Sequence, residues 1–509
     1  MLEEERKYEV DKQFTLPDLS GSVPTGGRVV ALPPATLTAT YLDTADLRLA
    51  RAGVSLRHRK GDPLPWTVKL PADVPGTRHE ISRAGRRKET PVELSGLVTA
   101  YSRGAPLVPA AVVKTVRQAY ELRDGEDRLL AEIADDAVSV LDGDRVRSRF
   151  REIEVERKDG DRELLDRVEE ALRDAGAVAG GFTPKHVRAL GEAAAGAPDL
   201  VTPTELSGKP SAADVVTNAI RRGVGRVLAH DPLVRLRAPV GDDDTAVHQM
   251  RVGCRRLRSD LRTFRSLLDP EWVGPLRDEL KWLADVLGAA RDAEVLRDRL
   301  HVTADADPLA PLDAGAVERI DAVLVERHER ALAEVDQALD SARYAALVES
   351  LVEAARAPRL VEAAEGRATE VLPKLVAKPW RRLARGGKGA DAAADLDPLA
   401  PDERWHAVRI NGKKARYAVD AVAPVLGGDA RKLAKALSRV QELLGEHQDA
   451  AVAADTWLEV AATYPADHAL AVTAGRLTER ERTSIRTVRA AFPDAWARTT
   501  KGNRTSWLR

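Results

Sequence analysis

Charge placement constrains this chain more than any other feature. In six runs within residues 1–160, apolar side chains alternate with charged or hydroxyl ones, the period of a β-strand. Glu3, Glu5 and Lys7 share one parity. So do Arg57 with Arg59, Thr67 with Lys69, Arg78 with Glu80, Thr115 with Arg117, and Glu152 with Glu154 and Glu156. The opposite parity carries Leu56, Val68, Ile81, Ile153 and Val155. One such strand is an ordinary solvent-facing strand. Six of them, with both signs of charge, suit a closed barrel with a polar lumen and an outer wall covered by helices, one of them predicted over 162–175. Paired carboxylates on adjacent strands suit Mg²⁺ or Mn²⁺, and Arg and Lys beyond them suit phosphate oxygens. A polyanion carrying divalent cations would neutralise both sets, whereas an empty lumen so charged would be costly.

The texture then changes. Gly/Pro/Ala-rich stretches at 191–210 and 386–401 read as linkers or long loops. Beyond the first, Met250, Leu257, Leu261, Phe264 and Leu268 recur at helical spacing. The expected organisation is a β-rich domain over 1–190, a linker over 191–210, and a helical domain over 211–503 with halves at about 211–384 and 402–503. The fold class is α+β multidomain: an N-terminal antiparallel β-barrel tunnel with covering helices, then all-α duplicated bundles.

The helical halves resemble each other. His248-Gln-Met-Arg251 with Arg255-Arg256-Leu-Arg258 matches His406-Ala-Val-Arg409 with Lys413-Lys414-Ala-Arg416. At nearly equal distances downstream come Leu287-Gly288-Ala-Ala-Arg291-Asp292 and Leu444-Gly445-Glu-His447-Gln448-Asp449. This is a duplication. His248, Arg251, Arg255, Arg258 and Arg262 fall on one helix face, as do His406, Arg409, Lys413 and Arg416. Like charges at these spacings repel, and Asp260 is the only acid within 251–265. A stripe that recurs at the same phase points to an extended anion. The histidines have mostly cationic neighbours, which favours the anion surface or helix packing over a metal site. Cys254 sits on the apolar stripe as a core residue.

Composition excludes other classes. Lys and Arg number 79 against 80 Asp and Glu, so the chain is not a uniformly basic nucleic-acid binder. A single cysteine excludes an intrachain disulfide, and no disulfide partner is expected. No apolar run approaches a membrane span, and the N-terminal MLEEERKYEV has no signal core. A cytoplasmic protein without nucleic-acid or membrane partners is expected.

Glu3-x-Glu5-x-Lys7 resembles the E-x-E-x-K signature of CYTH domains, the triphosphate tunnel metalloenzymes. Leu56-Arg57-x-Arg59, Thr67-x-Lys69, Arg78-x-Glu80, Arg117, Glu152-Ile-Glu154-Val-Glu156 and Thr183-Pro-Lys185 support the likeness. The resemblance implies that Glu3, Glu5, Glu152, Glu154 and Asp136 hold metal, with Asp135 the alternative to Asp136. It implies that Lys7, Arg57, Arg59, Lys69, Arg117 and Lys185 bind phosphate, and that Glu80 holds a second metal or orients water. The duplicated H-x-x-R-x-x-x-[RK]-[RK]-x-R helix with its Leu-Gly segments resembles the CHAD domain, implicated in binding inorganic polyphosphate. Its phosphate contacts would come from the cationic stripe, with Lys281, Lys432, Lys435 and Arg439 as lesser candidates. Together they imply Mg²⁺- or Mn²⁺-dependent hydrolysis of inorganic tripolyphosphate tethered to a module for long-chain polyphosphate, in the cytoplasm or at polyphosphate granules. The alternatives are a non-catalytic polyphosphate-binding protein and a triphosphatase for an organic substrate such as thiamine triphosphate.

Overall fold

The computed structural model describes residues 2–72, 77–179, 183–206, 208–240, 244–387 and 391–508; the side chains of Leu2, Glu3 and Asn503 lie outside this description. The chain divides into two compact units, 1–199 and 200–509.

Among the described residues the first unit contains ten strands: β1 (Leu2–Val10), β2 (Arg28–Ala31), β3 (Ala35–Asp43), β4 (Ser55–Lys60), β5 (Trp66–Pro71), β6 (Thr77–Arg83), β7 (Val108–Arg123), β8 (Leu129–Asp142), β9 (Arg145–Arg157) and β10 (Val178–Ala179). Eight close a barrel in the order β1-β6-β5-β4-β3-β7-β8-β9, with β9 returning to β1 and every pairing antiparallel. β2 adds to β7 and β10 to β1. Closure leaves the charged parity inside and the apolar parity outside.

The outer wall is then covered. The helix Arg162–Asp174, N-capped by the Asp161 side chain, lays Leu164, Leu165, Val168 and Leu172 against Tyr8, Leu122, Ile133, Ile153 and Val155. Burying each such side chain stabilises by about 1.5–3 kcal/mol. The helix Val92–Leu97 packs on β5. Near one end, inward-facing Ala39, Val113, Val138 and Val140 cluster with Ala189 and Leu190 of the helix Lys185–Leu190. That helix delivers Lys185 and His186 to the lumen.

The second unit is helical. Ala246–Thr263, Pro270–Ala304 and Ala314–Leu339 correspond to Asp402–Leu426, Gly428–Thr463 and His468–Thr499. The halves share a core in which Leu300, Ile320 and Leu324 pack with Trp457, Leu470 and Leu477. Arg299 reinforces it by bonding Glu446 and Glu481 at 2.7 and 2.6 Å. The two basic helices, Ala246–Thr263 and Asp402–Leu426, touch each other. No helix among the described residues is long and apolar enough to cross a membrane.

Candidate functional site

The barrel encloses a cavity of about 240 Å³. Its cationic lining is Lys7, Arg57, Arg59, Lys69, Arg78, Arg117 and Lys185; its acidic lining is Glu5, Glu80, Glu132, Glu154 and Glu156. Strand register explains how they converge. Across β1, β9 and β8, Glu5 lies opposite Glu156 and Glu156 opposite Glu132, a row of like charges. Two residues deeper Lys7 faces Glu154, and two deeper again Glu152 faces Asp136, which faces Arg117.

The deep layer is neutralised from within. Arg117 grips Asp136 with both arms, at 2.8 and 2.7 Å, and reaches Glu154 at 3.2 Å. Lys185 bonds Asp136 and lies 2.7 Å from Glu154 and 3.2 Å from Glu152. Lys7 meets Glu154 at 2.5 Å and Glu5 at 3.4 Å. Burial works against the Lys185 charge, yet Glu154, Asp136 and Glu152 raise its pKa above the ordinary lysine value. Burial likewise opposes ionisation of Glu154, and Lys185, Lys7 and Arg117 overcome it, holding that carboxyl well below its usual range. Asp136 and Glu152 are 0% and 2% exposed and lie behind the cavity wall rather than in it. The neighbouring Asp135 points the other way and forms a two-armed pair with Arg151.

The outer acidic row is less compensated. Lys158 pairs with Glu156, whereas the cross-strand neighbours of Glu132 are Glu156 and Glu121, both acidic. Carboxylates opposite one another destabilise a sheet unless a cation lies between them. An oxygen-only donor set of this kind fits Mg²⁺ or Mn²⁺. No three potential ligands among the described residues converge on one point; backbone register places Glu3 opposite Arg78, and its side chain is outside the described residues. On the cationic side Lys69 pairs with Glu80 at 2.8 Å, and Arg59 turns to Asp62. Tyr41 and His186 stack at 5.2 Å and complete the wall.

In the helical unit the two basic helices bring the two stripes together. Lys413 is surrounded by Arg255, Arg409 and Arg251, with Asp449 the nearby acid. Burial first, then Arg255 and Arg409, lower its pKa to about 7. Burial, Arg255 and Arg291 likewise push Arg251 down against the pull of Asp292. Arg255, Arg258, Arg262 and Lys413 line a second cavity of about 150 Å³, together with Arg277, Lys414 and Tyr417. The duplicated Leu-Gly segments explain themselves here. Asp292 lies 3.2 Å from Arg251 and Asp449 lies 3.9 Å from Arg409, so each segment steadies the first arginine of its basic helix. Gly288 packs against the Arg251 guanidinium, where a Cβ would lie in ordinary van der Waals contact at 3.4 Å.

Not every stripe residue joins the cluster. Arg416 lies 3.6 Å from Asp420, which also takes Arg256 at 3.1 Å. His406 bonds Gln448, the counterpart of Arg291, whose charge together with burial lowers the pKa of His248. Lys281, Lys432 and Arg439 pair with acids on their own helices. Sequence reasoning missed Glu132, Tyr41 and His186 in the barrel and Arg277 in the helical unit. Glu132 shares parity with Asp136, the one trace of it in the sequence.

Comparison with known proteins agrees with this architecture. The family model for the CYTH domain matches residues 1–188 and that for the CHAD domain residues 218–458. An uncharacterized protein of Mycobacterium tuberculosis is 34% identical over 487 residues, covering 90% of this chain and 89% of that protein. Among solved structures, PptA from Streptomyces chartreusis is 27% identical with a TM-score of 0.47, covering 56% of this chain and 99% of its own. The CHAD domain from the plant Ricinus communis is 25% identical with a TM-score of 0.43, covering 57% of this chain and 95% of its own. This chain therefore belongs to the family of proteins in which a CYTH domain precedes a CHAD domain.

Proposed function

We propose that the barrel hydrolyses inorganic tripolyphosphate and that the helical unit binds long-chain inorganic polyphosphate. CYTH domains are typically metal-dependent triphosphatases or related hydrolases and cyclases, which supports this reading. The observation that carries the substrate is the cavity itself: among the described residues, seven cations face an acidic row inside one closed wall, with no broad apolar platform for a nucleobase.

In this reading Lys7, Arg57, Arg59, Lys69, Arg78, Arg117 and Lys185 take the phosphate oxygens, the arginines in planar two-point fashion. Glu5, Glu132 and Glu156, with Glu3, would hold Mg²⁺ or Mn²⁺, which supplies charge neutralisation and Lewis acidity at a phosphoryl oxygen. Asp136, Glu152 and Glu154 act mainly on the protein, fixing Arg117, Lys185 and Lys7 so that no reorganisation is needed when the anion arrives. Tethering to a polyphosphate-binding unit would raise the local concentration of phosphate chains near the barrel mouth.

The test is phosphate release from tripolyphosphate with Mg²⁺ or Mn²⁺. Rapid release by the wild type, lost in Glu5→Gln and in Glu132→Gln/Glu156→Gln, is expected. Mn²⁺ should also raise the Tm of the wild type, and the double variant should lose that shift. A folded protein that releases nothing with either metal contradicts the reading.

A further inference from the structure

Register places five residues in one row across the outside of the barrel. Lys60 of β4 lies opposite Thr38 of β3, Thr38 opposite Lys114 of β7, Lys114 opposite Ser139 of β8, and Ser139 opposite Arg149 of β9. Residues directly opposed in an antiparallel pair share a face. Here it is the outer face, because the chain neighbours Arg59, Val113, Val138 and Val140 point inward. Adjacent strands lie about 4.8 Å apart, so the three cations stand about 10 Å from one another along a line of about 19 Å.

This row is bare and uncompensated. Lys60, Lys114 and Arg149 are exposed, and none forms an ion pair among the described residues. Elsewhere on the outer wall Arg6, Arg151 and Arg157 each hold a carboxylate. The flanking positions on the same face include Thr36, Thr40, Val112, Val116, Ala137 and Leu141, and none of these carries a charge. At the Lys60 end the row runs into a basic loop. Arg83 lies opposite Trp66 at the end of β6, and the Trp66 indole donates to the carbonyl oxygen of Arg86 at 3.1 Å, which fixes the loop there. Arg83, Arg86, Arg87 and Lys88 are exposed without an ion pair among the described residues, and Glu89 is the acid of the same loop.

We propose that this row and loop form a track for long-chain polyphosphate on the outside of the barrel. An isolated surface charge contributes little, but a chain that carries a negative charge on every phosphate meets all of them at once. Thr38 and Ser139 set hydroxyl groups between the cations, and a hydroxyl can donate to a phosphate oxygen. The rows hold no exposed aromatic ring for a base among the described residues, so the face fits a bare phosphate chain rather than a nucleic acid. Lys60 directly follows Arg59, which lines the lumen, so a chain on the track passes beside the cavity. The assignment rests on the reading that this protein binds long-chain polyphosphate, and it adds a surface on the barrel to the groove of the helical unit.

Acetylation of individual lysines in the full chain tests it, read by mass spectrometry with EDTA present so that metal-dependent hydrolysis is stopped. Long-chain polyphosphate should slow labelling of Lys60 and Lys114 at least about fivefold. Tripolyphosphate at the same phosphate concentration is too short to reach from Lys60 to Arg149 and should slow it less than about twofold. Lys12, exposed and off the row, should label at an unchanged rate. Arg149→Glu should remove most of the protection at Lys114, because the row binds the chain as one surface. Lys413 in the same samples reports on the helical unit. Unchanged labelling of Lys114 with Lys413 protected overturns the track and leaves the groove standing; unchanged labelling of both overturns both. Protection of Lys12 equal to that of Lys114 overturns the track as unspecific attraction, and equal protection by single-stranded RNA overturns it in favour of a nucleic-acid surface.

Discussion

Lys185 and Lys413 are both lysines withdrawn from water, and their environments drive them in opposite directions. In the barrel, Glu154, Asp136 and Glu152 surround Lys185 and raise its pKa. In the helical unit, burial and the guanidinium groups of Arg255 and Arg409 lower Lys413 to about 7. The barrel has built its counter-charges into the fold, so its deep cations are part of the framework. The helical unit gathers cations that repel one another and leaves most of the compensation to a ligand. A charged lumen and a charged groove can both attract phosphate, but only the first should resist removal of a single charge badly.

The largest expected effect follows directly. Lys185→Met leaves Asp136, Glu152 and Glu154 buried around a lost cation, a loss of about 3–5 kcal/mol. Chemical denaturation at pH 8 measures it. The deficit should shrink at pH 5, because loss of the cation raises the folded pKa values of these carboxyls relative to the wild type, so the folded variant takes up more protons than the folded wild type as pH falls. A variant as stable as the wild type at pH 8 breaks the comparison. The counterpart is Arg255→Gln/Lys413→Met. Charged hydrogen bonds contribute about 1.5–3 kcal/mol each, so polyphosphate should bind at least roughly 100-fold more weakly. Its Tm should stay level or rise, because repulsion is relieved, and tripolyphosphate hydrolysis should be unaffected. Calorimetry and a thermal melt read both. A fall in Tm like that of Lys185→Met would mean that the groove is framework too.

The contrast was only half legible in the sequence. Strand parity separated lumen from wall for Arg57, Lys69, Glu80 and Glu154, because charged side chains alternate there with Leu56, Val68 and Val155. It misleads at β3, where Ala35, Leu37, Ala39 and Tyr41 form the apolar parity, yet Tyr41 lines the lumen and Ala39 packs with the inward-facing valines. It could not separate Asp135 from Asp136, flanked by alanines on both sides, until Arg117 and Arg151 were seen to take opposite ones. Glu132 emerged only through its cross-strand neighbours, because periodicity says which face a residue takes and register says what lies beside it. The duplicated stripe marked Arg251, Arg255, Arg409 and Lys413 through spacing alone. Arg277 joins Arg255 and Lys413 from another helix, a tertiary fact with no local signal.

Smaller effects sharpen the comparison. A polyanion favours the charged form of Lys413, so binding near neutral pH should take up a proton. Affinity for polyphosphate should therefore strengthen about tenfold from pH 8 to pH 6 and level off below, while Lys413→Arg binds with a flat profile. A wild-type affinity independent of pH in this range would show that Lys413 is already charged, and the groove better compensated than its neighbours indicate. The most delicate probe is Asp449→Asn. Asp449 lies 3.9 Å from Arg409 and opposes the downward shift of Lys413. Removing it should move the midpoint of the pH profile below 7, since the cations lose their nearby anion. At pH 6 the same change should tighten polyphosphate binding about two- to threefold, because one repulsive charge leaves the site. Weaker binding at pH 6 would mean that Asp449 acts chiefly by aiming Arg409, in which case the acids of the two Leu-Gly segments belong to the framework, as those around Lys185 do.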